Sequence, residues 1–322
     1  MRYESIVTDL PMLGDEHDNR HVLSTEAHHR EAAAFMFQLP EYGLAGFLYP
    51  WVDNAGMAGA AACVFGPGLA VPVKERFGEV PVGSTMDFRA WDVKGMSMKI
   101  GAPHRTVDLA FAGEQVEIRC HYDAMHPPYA FGSHNNGCPS YYAQDRTEQH
   151  GRIQGELKLG GKQYALNGFM QRDHSWGARV WGLNQHYKWF HATTESAAVH
   201  FFEMQSFGKI VLRGYVAKEG RMAEIVSIEY DYTFDENMHQ KTFDVVVRDS
   251  AGRSTTVNAV VFARFEYDVD PMILLKEGAT TVTVDGSTGT GWCEFCWNKE
   301  YFEFARNHAQ RFSAGASLTG GG

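Results

Sequence analysis

From residue 26 onward the chain is a succession of short runs rich in aromatic and β-branched residues, each closed off by Gly, Pro, Asn or Asp. That pattern specifies many antiparallel strands and few helices, because no long stretch keeps the 3.6-residue spacing of an amphipathic helix. Two hairpins are explicit. Residues 153–159 and 162–169 flank Gly160-Gly161, and residues 243–248 and 255–265 flank Ser250-Ala251-Gly252, with turn residues that accept the required backbone angles. Further strands are expected at 187–194, 197–207, 210–217, 225–234, 279–284 and 292–297. In the first half they are expected at 32–38, 43–52, 58–65, 85–91, 96–100, 106–111 and 115–122. Each is short enough for a barrel or a sandwich. A short C-terminal helix is expected over about 299–310, followed by a loose glycine tail at 320–322.

A chain of 322 residues can bury two cores. Segment 126–149, rich in Pro, Gly, Asn and polar residues, reads as the connection, so the expected domains are 1–145 and 146–322. The formal net charge of −10 excludes a nucleic-acid partner, which needs clustered Lys and Arg. No run of roughly 18 apolar residues is present to span a bilayer, and the polar, acidic first twenty residues lack a secretory signal. A cytoplasmic protein is expected, and a homodimer is compatible with the sequence. Cysteines 63, 120, 138, 293 and 296 are odd in number and lack framework spacing, so they are expected to be reduced thiols.

The densest chemistry lies in 171–181. Arg172, Asp173, His174, Trp176, Arg179 and Trp181 crowd one strand end. An Asp against aromatic surface is disfavoured in its charged form, which makes Asp173 a candidate general acid, although Arg172 or Arg179 beside it push the other way. His174 is placed to orient that carboxyl group or to exchange protons with water. Trp176, Trp181 and Trp189 can wall an apolar pocket, their π faces stabilising a carbocation by roughly 0.5–2 kcal/mol each. The competing account makes Asp173 a turn cap paired with arginine and the tryptophans a barrel cover. Downstream, Tyr187, Trp189 and His191 share one strand face by period-two alternation, a face suited to lining a ligand cavity.

Three stretches together carry a resemblance: Glu148-Gln149-His150-Gly151-Arg152, the Gly-Gly hairpin, and Gly168 through Trp181 with Asp173-His174-Ser175-Trp176-Gly177 at its centre. They resemble the two-domain bacterial proteins of the AttH and carotenoid 1,2-hydratase (hydroxyneurosporene synthase) superfamily. Residues 40–47 and Glu31 add a weaker match. The resemblance implies an all-β chain of two lipocalin-like (calycin) antiparallel barrels. It also implies relatives that hydrate isolated double bonds of carotenoids or isoflavonoids, and more distant ones that catalyse cyclisations. Asp173, His174, Trp176, Arg179 and Trp181 match the motif. Val180 stands where many relatives have Asp, and His28-His29 where an aromatic often precedes Glu31, so substrate and reaction are open.

Fifteen histidines raise a metal reading, with His28, His29, His121, His126, His186, His191 and His200 as candidates, but no His-Glu-x-x-His or His-x-His spacing supports it. Cys293 and Cys296 are three apart in a strand and point to opposite faces, which makes buried thiols the better account. The residues 286–291 lack the Lys and helix of a phosphate loop and read as a hairpin turn. The leading expectation is a hydratase, isomerase or cyclase without cofactor or metal, acting on an apolar terpenoid or polyketide-like substrate. Asp173 and His174 are its expected catalytic pair, with Trp176, Arg179, Trp181, Tyr187, Trp189, His191, Trp51 and Glu31 around the hydrophobic substrate. The alternatives are a non-catalytic carrier of a hydrophobic small molecule and a histidine-dependent metalloenzyme.

Overall fold

A computed structural model of the chain describes residues 1–312; the tail at 320–322 lies outside them. The first strands are β1 (Val7–Thr8), β2 (His29–Leu39), β3 (Leu44–Asp53), β4 (Met57–Phe65), β5 (Val73–Pro81), β6 (Trp91–Val93), β7 (Met96–Ile100), β8 (Thr106–Ala112), β9 (Val116–Ala124) and β10 (Tyr129–Ala130). They are followed by β11 (Asp145–Leu159), β12 (Lys162–Ala178), β13 (His186–Thr194), β14 (Ala197–Ser206) and β15 (Lys209–Lys218). The last are β16 (Arg221–Phe234), β17 (Gln240–Asp249), β18 (Ser254–Asp270), β19 (Ile273–Val284) and β20 (Ser287–Asn298), ahead of helix α1 (Lys299–Phe312). The fold is all-β and lipocalin-like with a short C-terminal helix, as the strand pattern and the resemblance lead one to expect.

The chain divides into two compact units, residues 1–6 with 10–179, and residues 7–9 with 180 onward. Unit 1 is an 11-stranded sheet in the order β5-β4-β3-β2-β12-β11-β9-β8-β7-β6, with β10 on β11. Strict alternation in Val116–Ala124 buries Val116, Ile118, Cys120 and Tyr122 on one face and exposes the charged residues between them. Those side chains join Phe35, Phe37, Leu48, Trp91, Phe111, Leu157 and Met170 in one core. In unit 2 a 9-stranded sheet runs β1-β16-β15-β14-β13-β20-β19-β18-β17, and β16 pairs again with β17, so the sheet returns on itself as a barrel. Phe190, Phe201, Phe243, Val245 and Phe295 fill it, and α1 adds Phe302.

The first unit takes in 145–178, which a boundary at 145 assigns to the second. Pairing explains the difference: β11 bonds to β9 on one edge and β12 on the other, and β12 bonds to β2, so the hairpin is the middle of the first sheet. Segment 126–149 is likewise more than a connection, since β10 and the start of β11 lie in it. Buried, paired side chains such as Arg146, Glu148 and Gln149 account for part of its polar composition, while Asn135, Asn136 and Ser140 are exposed. Residues 85–91 mostly turn, and only Trp91–Val93 pairs, with β7. The edge strand β5 is not marked in the sequence because Lys74, Arg76 and Glu79, which are exposed, and half-buried Glu75 break the apolar alternation.

Two glycine sites differ in what they need. Gly160 and Gly161 adopt φ of 55° and 82° in the two-residue turn of the β11–β12 hairpin and have open space around them. Gly177, at the end of the motif, has φ of 109°, and a Cβ there would lie 2.4 Å from the Gln144 backbone nitrogen. Gly160→Asn is therefore expected to be nearly neutral, since Asn accepts a left-handed turn position, whereas Gly177→Ala costs more than about 1 kcal/mol. Denaturant unfolding of the two variants against the parent checks the contrast.

Candidate functional site

Alternation deals the motif residues in turn to the two faces of β12. Arg172, His174 and Trp176 stand opposite Phe35, Ala33 and Glu31 of β2, and Phe35 and Ala33 belong to the core, so this is the inner face. Gln171, Asp173 and Ser175 take the outer face. Asp173 and His174 therefore point away from each other, and the expected hydrogen-bonded pair does not form.

On the inner face the partner of His174 is Glu31. His174 Nε2 lies 2.8 Å from Glu31 Oε1, and His21 Nδ1 reaches the same oxygen at 2.7 Å. The His21 backbone N–H donates to Glu31 Oε2 at 2.8 Å. The His21 ring lies on Trp176 with centroids 3.8 Å apart and planes at 9°, and Phe88 sets its edge against His174 at 5.3 Å. His17 Nδ1 follows at 3.2 Å from His21 Nε2. Burial of Glu31 works to raise its pKa, but the hydrogen bonds and charge of His174 and His21 outweigh it and hold the carboxyl below its ordinary value. One donor atom each from His21, Glu31 and His174 lie within 4.8 Å of one another, a set that could hold a metal ion. Next along the face, buried Asp18 accepts from Arg172 and, at 2.6 Å, from the His104 N–H. Desolvation again opposes the charge, and Arg172 with His104 prevails, lowering the Asp18 pKa.

On the outer face Asp173 Oδ2 accepts from Arg146 Nη2 at 2.7 Å. The same guanidinium donates through Nε to Glu148 and through Nη1 to Tyr142 Oη at 3.0 Å. Burial disfavours the cation, but Asp173 and Glu148 more than compensate and raise the Arg146 pKa well above its ordinary value. Arg179 donates to Ser175 Oγ and to the Tyr142 carbonyl, both at 3.0 Å, with its guanidinium 4.2 Å over the Tyr142 ring. Trp51 stands opposite Ala32 and so shares this outer face, stacked under Arg76 at 5.1 Å.

The other expected residues lie in unit 2. Trp181 is in a 3-10 turn, Trp181–Leu183, and its carbonyl accepts from Asn184 Nδ2 at 3.1 Å. Tyr187, Trp189 and His191 share one face of β13 while Phe190 enters the barrel core. The Trp189 and His191 rings are 4.2 Å apart, and His191 stacks on His200 at 4.3 Å. Tyr187 Oη donates to Glu294, and Glu294 is hydrogen-bonded to Glu277, whose Oε2 accepts from Trp292 Nε1 at 2.7 Å. Burial, the neighbouring Glu294 charge and the Glu294 hydrogen bond raise the Glu277 pKa well above the usual carboxylate range, with the Trp292 N–H opposing.

Sequence reasoning missed His17, His21, Phe88, Arg146, Glu277 and Glu294. A signal for Glu277 is present in the sequence: Lys276 and Glu277 are the only charged residues of β19. His17 and His21 sit in an irregular arm where no periodicity marks them.

The chain is similar in fold to AttH of Nitrosomonas europaea, with 12% identity, 83% of this chain and 92% of that chain covered, and a TM-score of 0.58. It is similar to CghA with Sch210972 at 10% identity, covering 84% and 89%, with a TM-score of 0.63. It is similar to kievitone hydratase from Nectria haematococca at 11% identity, covering 92% and 97%, with a TM-score of 0.58. At these identities the likeness is one of fold. No curated protein matches the sequence. The model of a domain of unknown function, DUF7064, matches residues 14–299. Among the described residues no helix is long and apolar enough to cross a membrane.

Two outcomes follow from the charges of unit 1. Arg146→Ala leaves Asp173 and Glu148 buried without their cation and is expected to cost on the order of 3–5 kcal/mol in denaturant unfolding, several times the cost of Gly177→Ala. Because the folded pKa values of Asp18 and Glu31 are depressed, their stabilisation is present above the ordinary values of 3.8 and 4.5 and is lost as pH falls through the folded ones. Asp18→Asn should therefore flatten the acid limb of a stability-versus-pH curve, which acid titration followed by near-UV circular dichroism measures.

Proposed function

This chain belongs to the DUF7064 family, and we propose that it is an acid-initiated hydratase, isomerase or cyclase whose proton donor is the Glu277–Glu294 pair of unit 2. The observation that carries the reading is the hydrogen-bonded pair of Glu277 and Glu294 amid Trp189, Trp292 and Tyr187, where burial and the second carboxyl group push the Glu277 pKa well above the usual carboxylate range. Two close carboxylates cannot both ionise cheaply, so the proton belongs to the pair, and a neutral acid in apolar surroundings is what protonation of an alkene requires. Tyr187 holds Glu294 in place from one side and Trp292 holds Glu277 from the other.

In the proposed step the π electrons of an isolated double bond form a C–H bond with that proton, leaving a carbocation and a carboxylate. The faces of Trp189 and Trp292 favour the cation. Water adds and returns a proton to the pair in hydration; in isomerisation a neighbouring C–H gives up its proton instead; in cyclisation a second double bond attacks before that proton is lost. No electron acceptor is needed, so the scheme balances without a redox cofactor. The aromatic surroundings and a fold neighbour that bears the name of a hydratase support an apolar, terpenoid or polyketide-like alkene as substrate. The donor role expected of Asp173 passes to Glu277, since Asp173 is engaged by Arg146. Tyr187, Trp189 and His191 stand on the face of β13 opposite the barrel core, not the barrel interior the sequence suggested, and in this reading they flank the substrate.

Two measurements test this. The infrared carbonyl band of a neutral carboxylic acid should persist at neutral pH and vanish in Glu277→Gln. A panel of terpenoid and prenylated phenolic alkenes, incubated in deuterated buffer, should yield a product carrying carbon-bound deuterium. Turnover should fall about 10²–10⁴-fold in Glu277→Gln while quenching of tryptophan fluorescence by the same alkene persists. Turnover should also decline as pH rises through the raised pKa of the pair. Undiminished turnover in both Glu277→Gln and Glu294→Gln would sink the proposal, and ligand binding without turnover anywhere in the panel would favour a carrier.

A further inference from the structure

We propose that His21, Glu31 and His174 of unit 1 form a transition-metal site of the two-histidine, one-carboxylate type, separate from the acid chemistry assigned to unit 2. The donor atoms already converge: one from each residue lie within 4.8 Å of one another, and both imidazole nitrogens approach the same oxygen, Glu31 Oε1, at 2.7 and 2.8 Å. Metal–ligand bonds of roughly 2.0–2.2 Å in a tetrahedral arrangement place donor atoms about 3.4 Å apart. Opening each imidazole-to-Glu31 distance by roughly 0.6–0.7 Å admits the ion.

Charge balance favours an ion there. Glu31 is fully buried, and its side-chain partners are two imidazoles and a backbone N–H rather than a lysine or arginine. Protonated imidazoles balance that carboxylate; with both rings neutral, the form that ligates a metal, the balancing charge has to come from elsewhere. The carboxylates nearby are treated differently: Asp18 has Arg172, and Asp173 has Arg146. A divalent cation bound by the three residues supplies the missing charge.

The surroundings suit ligation as well. Glu31 Oε2 is taken by the His21 N–H, which leaves Oε1 to bind in one-oxygen fashion. His17 Nδ1 lies 3.2 Å from His21 Nε2, so a hydrogen bond on the far nitrogen fixes the ring with Nδ1 as the donor to a metal, the second-layer support that ligating histidines ordinarily have. Trp176 stacked on His21 and Phe88 against His174 lock both rings. Of the three ligands, His21 retains the most exposure, at 17% of its side chain, so ion entry and any remaining coordination position lie on its side. Two imidazoles and a carboxylate suit Zn²⁺, Co²⁺, Fe²⁺ or Ni²⁺ rather than Ca²⁺ or Mg²⁺, which prefer all-oxygen sets. Three protein ligands leave a position for water or a small oxygen ligand.

The test uses the untagged full chain, stripped with a chelator and titrated with Co²⁺. One Co²⁺ per chain should bind with visible ligand-field bands, and one equivalent of Zn²⁺ should displace it, while Mg²⁺ leaves the bands unchanged. His21→Ala, at the most exposed ligand, should keep its circular dichroism spectrum and weaken Co²⁺ binding at least about tenfold. His174→Ala should abolish the bands, and His121→Ala, on the exposed side of β9, should change nothing. Absence of the bands in the parent protein, or equal binding by a folded His21→Ala, overturns the proposal. The outcome is independent of Glu277, because Glu277→Gln should bind Co²⁺ as the parent does.

Discussion

Strand β12 is hydrogen-bonded along both edges, to β2 and to β11, in the middle of the first sheet. A strand so placed cannot rotate a side chain from one face to the other without a one-residue slip that would move every neighbour as well. Its polar residues must be satisfied where alternation puts them. The motif is therefore two networks printed on one strand. Outward, Arg146 gathers Asp173, Glu148 and Tyr142; inward, Glu31 gathers His174 and His21, and Asp18 gathers Arg172 and His104. The arm that carries His17, Asp18 and His21 is held against the inner face by those same contacts.

Carboxyl groups are buried by two opposite means, a cationic partner, as Arg253 for Asp249 of unit 2, or a second carboxyl group. In unit 1 each is met by a guanidinium or by imidazoles, and for Asp18 and Glu31 the partner overcomes desolvation, so the pKa falls. In unit 2 Glu277 is met by another carboxyl group, the neighbour adds to desolvation, and the pKa rises. The first arrangement leaves anions that attract cations; the second leaves a carboxyl group whose neutral form is favoured, and the proposed acid chemistry rests on it rather than on Asp173. Lys276, next to Glu277, shows that strand neighbours are not enough to ionise it: Lys276 faces away, pairs with Glu266, and is itself pushed down by burial.

Much of the fold was legible, because apolar alternation and turn residues are local. The hairpins at Gly160-Gly161 and 250–252, and the strands β3, β7, β13 and β20, follow from side chains that must face a core. What was not legible is long-range. Part of segment 126–149 is polar for the sake of ion pairs such as that of Arg146 with Asp173, and no local pattern separates a buried Arg146 from an exposed one. The division between the units followed pairing of β12 with β2, residues over a hundred positions apart. For the site, the shared face of Tyr187, Trp189 and His191 came from counting by twos. The same count applied to Asp173 and His174 separates them, and it was the crowding of ionisable and aromatic residues in 171–181 that drew them together.

Separation of those two residues constrains any mechanism built on the motif. A proton carried by Asp173 and a base at His174 would act on different sides of a sheet, about a strand's thickness apart, so no single substrate atom can receive both. Asp173 with Arg146, and Gly177 with its close approach to Gln144, are then best understood as holding the centre of the first sheet. His174 and Trp176 owe their chemistry to residues outside the motif, Glu31 and His21. What meets each buried carboxyl group differs: His174 and His21 meet Glu31, the Arg146 guanidinium meets Asp173, and a second carboxyl group meets Glu277, and both proposals of function start from that difference.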